Sequence, residues 1–188
     1  RFDGETLTYV EHGSEFTIPR ERGLYEPSVA AFGGRFFLTM RADHSAFVAR
    51  GGDGLNFAQF VEWKFDDGQV LGSYNTRQHW LAHNDTLYLV YTRRGANNDH
   101  VMRHRAPLFI AEVDPERLCV RRATEQILIP ESNADLGAGF GVVAASPRET
   151  WVISSEIPTK GSRDYNRVLM ARLIWSVPNR LFVNATPR

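Results

Sequence analysis

The sequence has 188 residues, is 43% hydrophobic and 23% charged, and carries 22 basic and 22 acidic side chains, so its formal net charge is zero. This composition is typical of a folded globular protein and excludes an intrinsically disordered chain. The neutral charge balance and the absence of a long apolar run predict neither nucleic-acid nor membrane binding, and the single cysteine excludes an internal disulfide.

The predicted elements are strands throughout. Short runs of β-branched and aromatic residues, closed by Gly, Asn, Asp or Pro, recur along the chain and predict an all-β fold. A leftover strand is predicted first, at residues 7–18. Three groups of four strands follow, at residues 27–32, 35–40, 46–50 and 57–64, then 79–82, 87–92, 108–113 and 119–129, then 140–145, 151–155, 167–175 and 181–184.

The three groups repeat with a period of about sixty residues. A run ending in Ala and a charged residue recurs with its alanines at Ala49, Ala111 and Ala171, which are 62 and 60 residues apart. A turn followed by an apolar run precedes each copy. Four strands repeated at such a period indicate the four-stranded antiparallel blades of a β-propeller.

The repeat predicts one propeller segment over residues 1–188. Residues 1–24 are the predicted remnant of a preceding blade, and the blades themselves span 25–66, 77–130 and 138–186. A propeller usually closes with four to eight blades. We therefore expect this segment to pair with the rest of a longer propeller or, failing that, with copies of itself.

Strand direction sorts the connections between strands onto two rims. One rim carries short turns, whereas the other carries long loops rich in charged and aromatic residues, where binding sites usually lie. Arg41, Arg93 and Glu156 are predicted at the same strand end in successive blades. Such charges predict an anionic ligand at the propeller mouth, with a structural network of ion pairs as the alternative.

Three segments give the chain a resemblance to the sialidase-like propellers that carry Asp-box repeats. Residues 25–29 followed by 34–41 resemble the sialidase segment in which a glutamate opens one strand and an arginine closes the next. Residues 51–57 resemble a degenerate Asp-box, and residues 104–109 resemble bacterial sialidase-like proteins. The resemblance implies a six-bladed propeller, of which about three blades are present. The family's first arginine and its acid/base aspartate would lie before the region of resemblance.

The resemblance also implies roles for individual residues. Sialidases use a tyrosine nucleophile with a glutamate partner, an exception to the paired carboxylates of most glycosidases. Glu26 would be that partner and Tyr165 is the candidate nucleophile. Arginines would grip the carboxylate of sialic acid. The candidate substrate-binding residues are Arg41, His79, Arg93, Arg94, Arg103, His104, Arg105 and Glu156.

The leading functional hypothesis is a sialidase-like glycoside hydrolase, or part of one, that binds an acidic or other sugar. One alternative is a non-catalytic carbohydrate-binding propeller. Another is a five-bladed glycosidase relative that uses carboxylates, with Glu26, Glu156 and an aspartate of the same rim. No cofactor is predicted, and the histidines lack the tight spacing of a metal site.

Overall fold

The computed structural model describes residues 1–57, 59–74, 76–132, 134–158 and 165–183. These residues form three antiparallel sheets that follow one another along the chain. The strands are β1 (Tyr25–Phe32), β2 (Arg35–Arg41), β3 (Ala46–Gly51) and β4 (Val61–Glu62), then β5 (His79–His83), β6 (Thr86–Tyr91), β7 (Leu108–Asp114), β8 (Cys119–Val120) and β9 (Gln126–Ile129), then β10 (Ala134–Ser146), β11 (Glu149–Pro158) and β12 (Arg167–Ile174). Two 3₁₀ turns lie at Met102–His104 and Arg122–Thr124.

The first sheet has the strand order β1-β2-β3-β4. Its first hairpin turns at Gly33 and Gly34, both with positive φ (56° and 71°), a backbone that glycine adopts without the steric cost of a side chain. Strand β2 is apolar on both faces because it lies inside the sheet and both of its faces are covered.

The second and third sheets repeat this arrangement. The second has the order β5-β6-β7-β8, and β9 also pairs with β7. Within the described residues the third sheet has three strands, in the order β10-β11-β12. The chain therefore forms antiparallel blades of an all-β propeller, as the sequence predicted.

The first strand of each sheet faces the first strand of the next. Strand β5 contacts both β1 and β10, so these three strands line the inside of the arc. The Trp80 indole of β5 also donates a hydrogen bond of 3.0 Å to the carbonyl oxygen of Ser28 in β1. This arrangement brings the starts of β1, β5 and β10 to one end of the molecule, which is called the inner-strand end below.

The cores lie between adjacent sheets. Trp63, Phe37 and Leu89 belong to a fully buried cluster between the first and second sheets. Leu108, Val152 and Phe140 belong to a similar cluster between the second and third. The first two sheets are also joined through their backbones, because Val120 N–H donates to the carbonyl oxygen of Lys64 over 2.9 Å.

The structure corrects the predicted outermost strands. The fourth strand expected at 57–64 is reduced to the two residues of β4, and the one expected at 119–129 is split into β8 and β9 by a 3₁₀ turn. No strand occurs between β12 and Val183, and the rest of the strand predicted at 181–184 lies outside the described residues. These outer strands have one neighbour only, so fewer ladder bonds hold them in a regular conformation.

The prediction of a strand at residues 7–18, as the remnant of a preceding blade, is also wrong. Apart from a bridge between Phe2 and Leu7, this segment has no β structure and is largely exposed. It is attached by the bond from Ser14 N–H to the carbonyl oxygen of Leu55 and by an edge-to-face contact between Phe16 and Phe60. Its alternating apolar residues mimic a strand without having a sheet edge to pair with.

Helices in the described part of the chain are short 3₁₀ turns, and none is long and apolar enough to cross a membrane.

Candidate functional site at the inner-strand end

The site begins with an irregularity at the start of β1. Glu26 has a φ of 51°, in the left-handed region that non-glycine residues seldom occupy, and the register of β1 on β2 shifts between Tyr25 and Ser28. In a regular strand the side chains of Tyr25 and Glu26 would point to opposite faces. The bulge instead allows both to reach Arg41 at the end of β2.

Arg41 holds these two side chains together. Its guanidinium binds the Glu26 carboxylate through two bonds, Nε to Oε2 at 2.5 Å and Nη2 to Oε1 at 2.9 Å, and its Nη1 donates to the Tyr25 hydroxyl at 2.8 Å. The Arg41 side chain is only 5% exposed, whereas that of Glu26 is 27% exposed. The buried arginine therefore fixes a carboxylate that solvent can still reach.

Tyr25 lies between two guanidinium groups. Arg41 and Arg22 lie 4.3 and 4.5 Å from its ring centre, and its hydroxyl donates to Asp43 at 2.7 Å. Burial, followed by the bond to Asp43, raises the pKa of Tyr25 to about 12. This hydroxyl is consequently held in its neutral form and is not activated as a nucleophile.

Two arginines from the second blade act on Glu26 as well. The bonds from Arg41 are the largest cause that lowers the pKa of Glu26, and the positive charges of Arg77 and Arg105 lower it further. Arg77 precedes β5, and Arg105 follows the 3₁₀ turn that leads to β7. The glutamate of the first blade is therefore surrounded by cations and ionised at neutral pH.

His79, the first residue of β5, is positioned but has a free ring nitrogen. Its ring packs edge-to-face on Phe140 of β10, with centres 4.9 Å apart, and binds the Phe140 backbone. Burial, followed by the charge of Arg77, lowers the pKa of His79. Its buried Nε2 has no hydrogen-bond partner in the described structure, so the ring is a neutral group with an unused polar atom.

The third blade contributes Asp135 from β10. Its Oδ2 lies 3.6 Å from Nη1 of Arg105, and both side chains are more than nine-tenths buried. Neither carboxylate oxygen makes a hydrogen bond within the described residues. Burial raises the pKa of Asp135, and the charges of Arg105 and Arg103 only partly offset this effect.

Glu26 and Asp135 thus form a contrasting pair that share Arg105 as a neighbour. The pKa of the glutamate is lowered by its arginines, whereas that of the aspartate is raised by burial. Two carboxyl groups with pKa values displaced in opposite directions can divide the roles of base and acid. Strain and displaced pKa values are both typical of functional sites.

Of the predicted substrate-binding residues, the structure brings Arg41, His79 and Arg105 to this end. Arg93 lies elsewhere, although its position after β6 corresponds to that of Arg41 at the end of β2. It pairs with Glu125 at 2.6 Å, beside β9 and away from the inner strands. The bonds that Arg93 and Tyr91 donate to Glu125 hold the pKa of this carboxyl below its usual range despite its burial. This is the ion-pair role that the sequence left as an alternative.

Glu156 is likewise engaged by its own blade. It is 2% exposed, accepts a hydrogen bond from Ser132 and forms an ion pair with Arg167, the first residue of β12. The cross-strand register places Glu156 directly opposite Arg167. Its partners explain how a carboxylate can be buried here without a ligand.

Three other predicted substrate-binding residues are Arg94 and two residues of the 3₁₀ turn Met102–His104. Arg94 is exposed and lies 5.4 Å from the ring centre of Tyr74. His104 bonds to the Tyr74 hydroxyl at 2.5 Å and to Asp99 at 3.1 Å. Arg103 is exposed and reaches the site through its charge on Asp135.

Tyr165, the candidate nucleophile, is 89% exposed and makes no hydrogen bond to any described residue. The tyrosine nearest to Glu26 is Tyr25, whose hydroxyl bonds to Arg41 and Asp43 and not to Glu26. The described residues therefore lack the tyrosine–glutamate pair on which the sialidase hypothesis relies.

The candidate residues chosen from the sequence do not include Arg77 or Asp135, and the sequence did not indicate that Tyr25 contacts Arg41. Arg77 lies two positions before the selected His79, in the connection between the first and second blades. Asp135 lies between the predicted strands at 119–129 and 140–145, whereas β10 begins at Ala134. The position of a strand start was the missing signal.

The predicted Asp-box turn is a structural feature far from the site. Asp53 accepts backbone hydrogen bonds from Leu55 at 2.9 Å and Asn56 at 2.6 Å, and the bonds from Asn56 are the main reason why the pKa of Asp53 falls to about 2. The turn lies between β3 and β4, on the opposite rim. No group of three metal-ligating side chains occurs among the residues that the structure describes.

Comparison with known proteins relates this chain to solved propellers. No protein-family model matches the sequence, and no curated protein matches it either. A protein of unknown function from Dyadobacter fermentans matches with a TM-score of 0.53 and 18% identity over 81% of this chain and 38% of its own. A GH43_12 protein from a capybara gut metagenome gives a TM-score of 0.52 and 12% identity over 86% of this chain and 32% of its own. A xylan β-1,4-xylosidase from Bacillus halodurans gives a TM-score of 0.50 and 12% identity over 79% of this chain and 28% of its own.

The shared feature is the fold. The chain spans about a third of the length of these neighbours. The glycoside hydrolases among the neighbours are five-bladed β-propellers and not sialidases. This finding supports a β-propeller fold like that of these glycosidases and does not support the sialidase and Asp-box assignment made from the sequence.

Proposed function

We propose that this propeller segment binds a carbohydrate at its inner-strand end as part of a glycoside hydrolase. The observation that carries the proposal is the pair of carboxyl groups described above, with Glu26 and Asp135 on different blades, Arg105 beside both, and their pKa values displaced in opposite directions. The likeness of the fold to glycoside hydrolase propellers supports the same reading.

The chemistry would divide between the two carboxyl groups. Asp135, whose pKa is raised by burial, would be the acid and donate a proton to the leaving oxygen of the glycosidic bond. Ionised Glu26 would accept a proton from the water that attacks the anomeric carbon, so the sugar–oxygen bond breaks as the sugar–water bond forms. Arg41 would hold Glu26 in position and keep it ionised.

A second candidate function is carbohydrate binding without hydrolysis. It is favoured by the geometry of the same groups, because both Asp135 oxygens are shielded from solvent and both Glu26 oxygens accept bonds from Arg41. In this case the carboxylates and arginines would bind sugar hydroxyl groups. A sialidase mechanism has less support, since the pKa of Tyr25 is raised and Tyr165 is 89% exposed and makes no hydrogen bond to any described residue.

The test measures hydrolysis of aryl glycosides by the full chain and by the variants Glu26→Gln and Asp135→Asn. We expect the wild-type chain to hydrolyse at least one xyloside, arabinofuranoside, galactoside or hexuronoside, and each variant to lose about 100-fold or more of kcat. Glu116→Gln and Asp85→Asn, which lie on the opposite rim, make the same chemical changes as controls.

The outcomes separate the two candidates. Binding of an oligosaccharide without hydrolysis, lost in Glu26→Gln, would select the binding function. An absence of both binding and hydrolysis across the panel would contradict both. Circular dichroism of each variant distinguishes the loss of a site from the loss of the fold.

A further inference from the structure

Arg77 differs from Arg41 and Arg105 in having no acidic partner among the residues that the structure describes. Arg41 is paired with Glu26, and Arg105 lies beside Asp135. Arg77 is exposed, and no ion pair or hydrogen bond occupies its guanidinium among the residues that the structure describes. Its charge is therefore available to a ligand.

The position of Arg77 reaches all three inner strands. Its charge lowers the pKa values of Glu26 at the start of β1 and of His79 at the start of β5. Its guanidinium also lies against β10, where a side-chain carbon added to Gly139 would be 3.6 Å from its Cζ. This distance is an ordinary van der Waals contact, so the guanidinium lies directly beside the backbone of β10.

The backbone beside Arg77 is firmly held. The next residue, Gln78, is completely buried. Its amide nitrogen donates to Ser73 Oγ at 2.9 Å and to the carbonyl oxygen of Thr76 at 3.1 Å, and its Oε1 accepts a bond from Thr39 at 3.2 Å. A fixed backbone limits the positions that the Arg77 guanidinium can sample, which lowers the entropy cost of binding a ligand.

The charge balance of the site indicates the sign of the ligand's charge. The cations are Arg41, Arg77 and Arg105, whereas the acids are Glu26 and Asp135, and burial favours the uncharged form of the aspartate. A site with an unpaired guanidinium and excess positive charge favours an anion, and a planar fork of N–H donors matches a carboxylate.

We propose that Arg77 binds the carboxylate of an acidic sugar, so that the site selects a saccharide with a carboxylate over its neutral counterpart. This inference rests on the proposed carbohydrate-binding function and specifies its substrate class. The carboxylate can belong to a hexuronic acid or to a sialic acid, since the guanidinium recognises the group that both contain.

The experiment measures binding of the full chain by isothermal titration calorimetry. The probes are digalacturonate, N-acetylneuraminyl-lactose and, as the neutral counterpart, digalactose. We expect at least one acidic probe to bind ten-fold or more tightly than the neutral one. Arg77→Gln should remove most of that preference, by weakening the binding of the acidic probe far more than that of the neutral one.

Arg148→Gln is the matched control, because it removes one exposed arginine from the opposite rim. It should preserve the preference, and melting temperatures of all variants should agree within a few degrees. Arg77→Lys should retain part of the preference, because it keeps the charge without the fork. The stronger of the two acidic probes identifies the source of the carboxylate.

Two results would overturn the inference in distinguishable ways. Equal binding of acidic and neutral probes, or an equal loss of both in Arg77→Gln, would refute the role of Arg77 while leaving the proposed carbohydrate site intact. Failure of every saccharide to bind the folded chain would refute the site itself and the inference with it.

Discussion

At the scale of single residues, the start of β1 shows how an unfavourable backbone can serve a site. Glu26 occupies left-handed φ, a conformation that costs about 1–3 kcal/mol at a non-glycine position. The two bonds from Arg41 and the bond from Arg41 to Tyr25 stabilise it. The chain therefore retains a costly conformation that orients a partly exposed carboxylate.

Glu26→Gln should change how stability depends on pH. The pKa of Glu26 is lowered on folding, so its carboxylate contributes stability above the unfolded pKa, near 4.5, and loses it as the pH falls through the folded pKa. We expect the wild-type chain to lose more unfolding free energy than the variant between pH 5 and pH 3. Urea denaturation at several pH values measures this difference, and parallel curves would contradict it.

Asp135→Asn should show the opposite dependence. The pKa of Asp135 is raised on folding, so its contribution is fully present below its unfolded pKa, near 3.8, and is lost as the pH rises through the folded pKa. The variant should therefore gain stability relative to the wild type as the pH is raised from 3.5 to 7. Chemical denaturation across that range tests the sign, and a relative loss would show that Asp135 is stabilised as an anion.

The sequence identified part of this site. The pattern in which Glu26 opens one strand and Arg41 closes the next fits the ion pair that these residues form, because hairpin pairing places the start of one strand beside the end of the next. The pattern could not distinguish Arg105 from Arg93, since the positions of their partners, Asp135 in β10 and Glu125 just before β9, depend on tertiary packing.

At the scale of elements, adjacent blades are joined by a buried polar connection within an apolar interface. The Trp63 indole donates to Thr39 Oγ1 at 2.9 Å, and this hydroxyl bonds to Gln78. Trp63 also packs on Trp80 with ring centres 5.7 Å apart. Satisfied buried hydrogen bonds of this kind fix the register of one blade against the next.

Trp63→Ala should strongly destabilise this interface. The side chain is 1% exposed, so its removal leaves a cavity and breaks the buried hydrogen bond to Thr39, with an expected loss of about 3–5 kcal/mol. Trp151→Ala, at a half-exposed position in the third sheet, is the control and should cost much less. Equilibrium unfolding in urea compares the two, and similar losses would refute the central role of Trp63.

Strands β2, β3, β6 and β7, which have a neighbour on both sides, and the inner strands β1 and β5 were predicted with nearly correct bounds because each carries a continuous apolar pattern. The inner strand β10 was predicted at 140–145 and begins earlier, at Ala134. Outer strands β4, β8 and β9 were predicted less well. An edge strand makes about half the ladder bonds of a central one, so loops and 3₁₀ turns compete with it locally.

At the scale of the whole molecule, the third sheet has one covered face and one exposed face. Val168, Met170 and Ile174 of β12 and Ile153 of β11 point to solvent, with exposures between 36% and 78%. The corresponding faces of the other sheets are covered by a neighbouring blade or by aromatic side chains. A contiguous apolar face of this type usually marks an interaction surface.

We expect the isolated chain to self-associate through this face, because burial of its apolar side chains is favourable. Sedimentation velocity should show an average mass that rises with concentration. The double variant Val168→Lys and Met170→Lys should abolish the rise, whereas Leu7→Lys, an exposed apolar position outside the sheets, should not. A concentration-independent monomer would contradict this expectation.

The lone cysteine gives the contact between the first two blades a chemical reporter. Cys119 and Val120 form β8, and Val120 makes the backbone hydrogen bond to Lys64 that joins the first two sheets. Cys119 is buried, and burial raises the pKa of its thiol. Because Cys119 is only 6% exposed, we expect a thiol reagent to modify it faster when this edge separates, so the labelling rate reports on the opening of the contact between the blades. Comparing the labelling rate with and without a saccharide would reveal whether a ligand at the inner-strand end stabilises the contact between the first two blades.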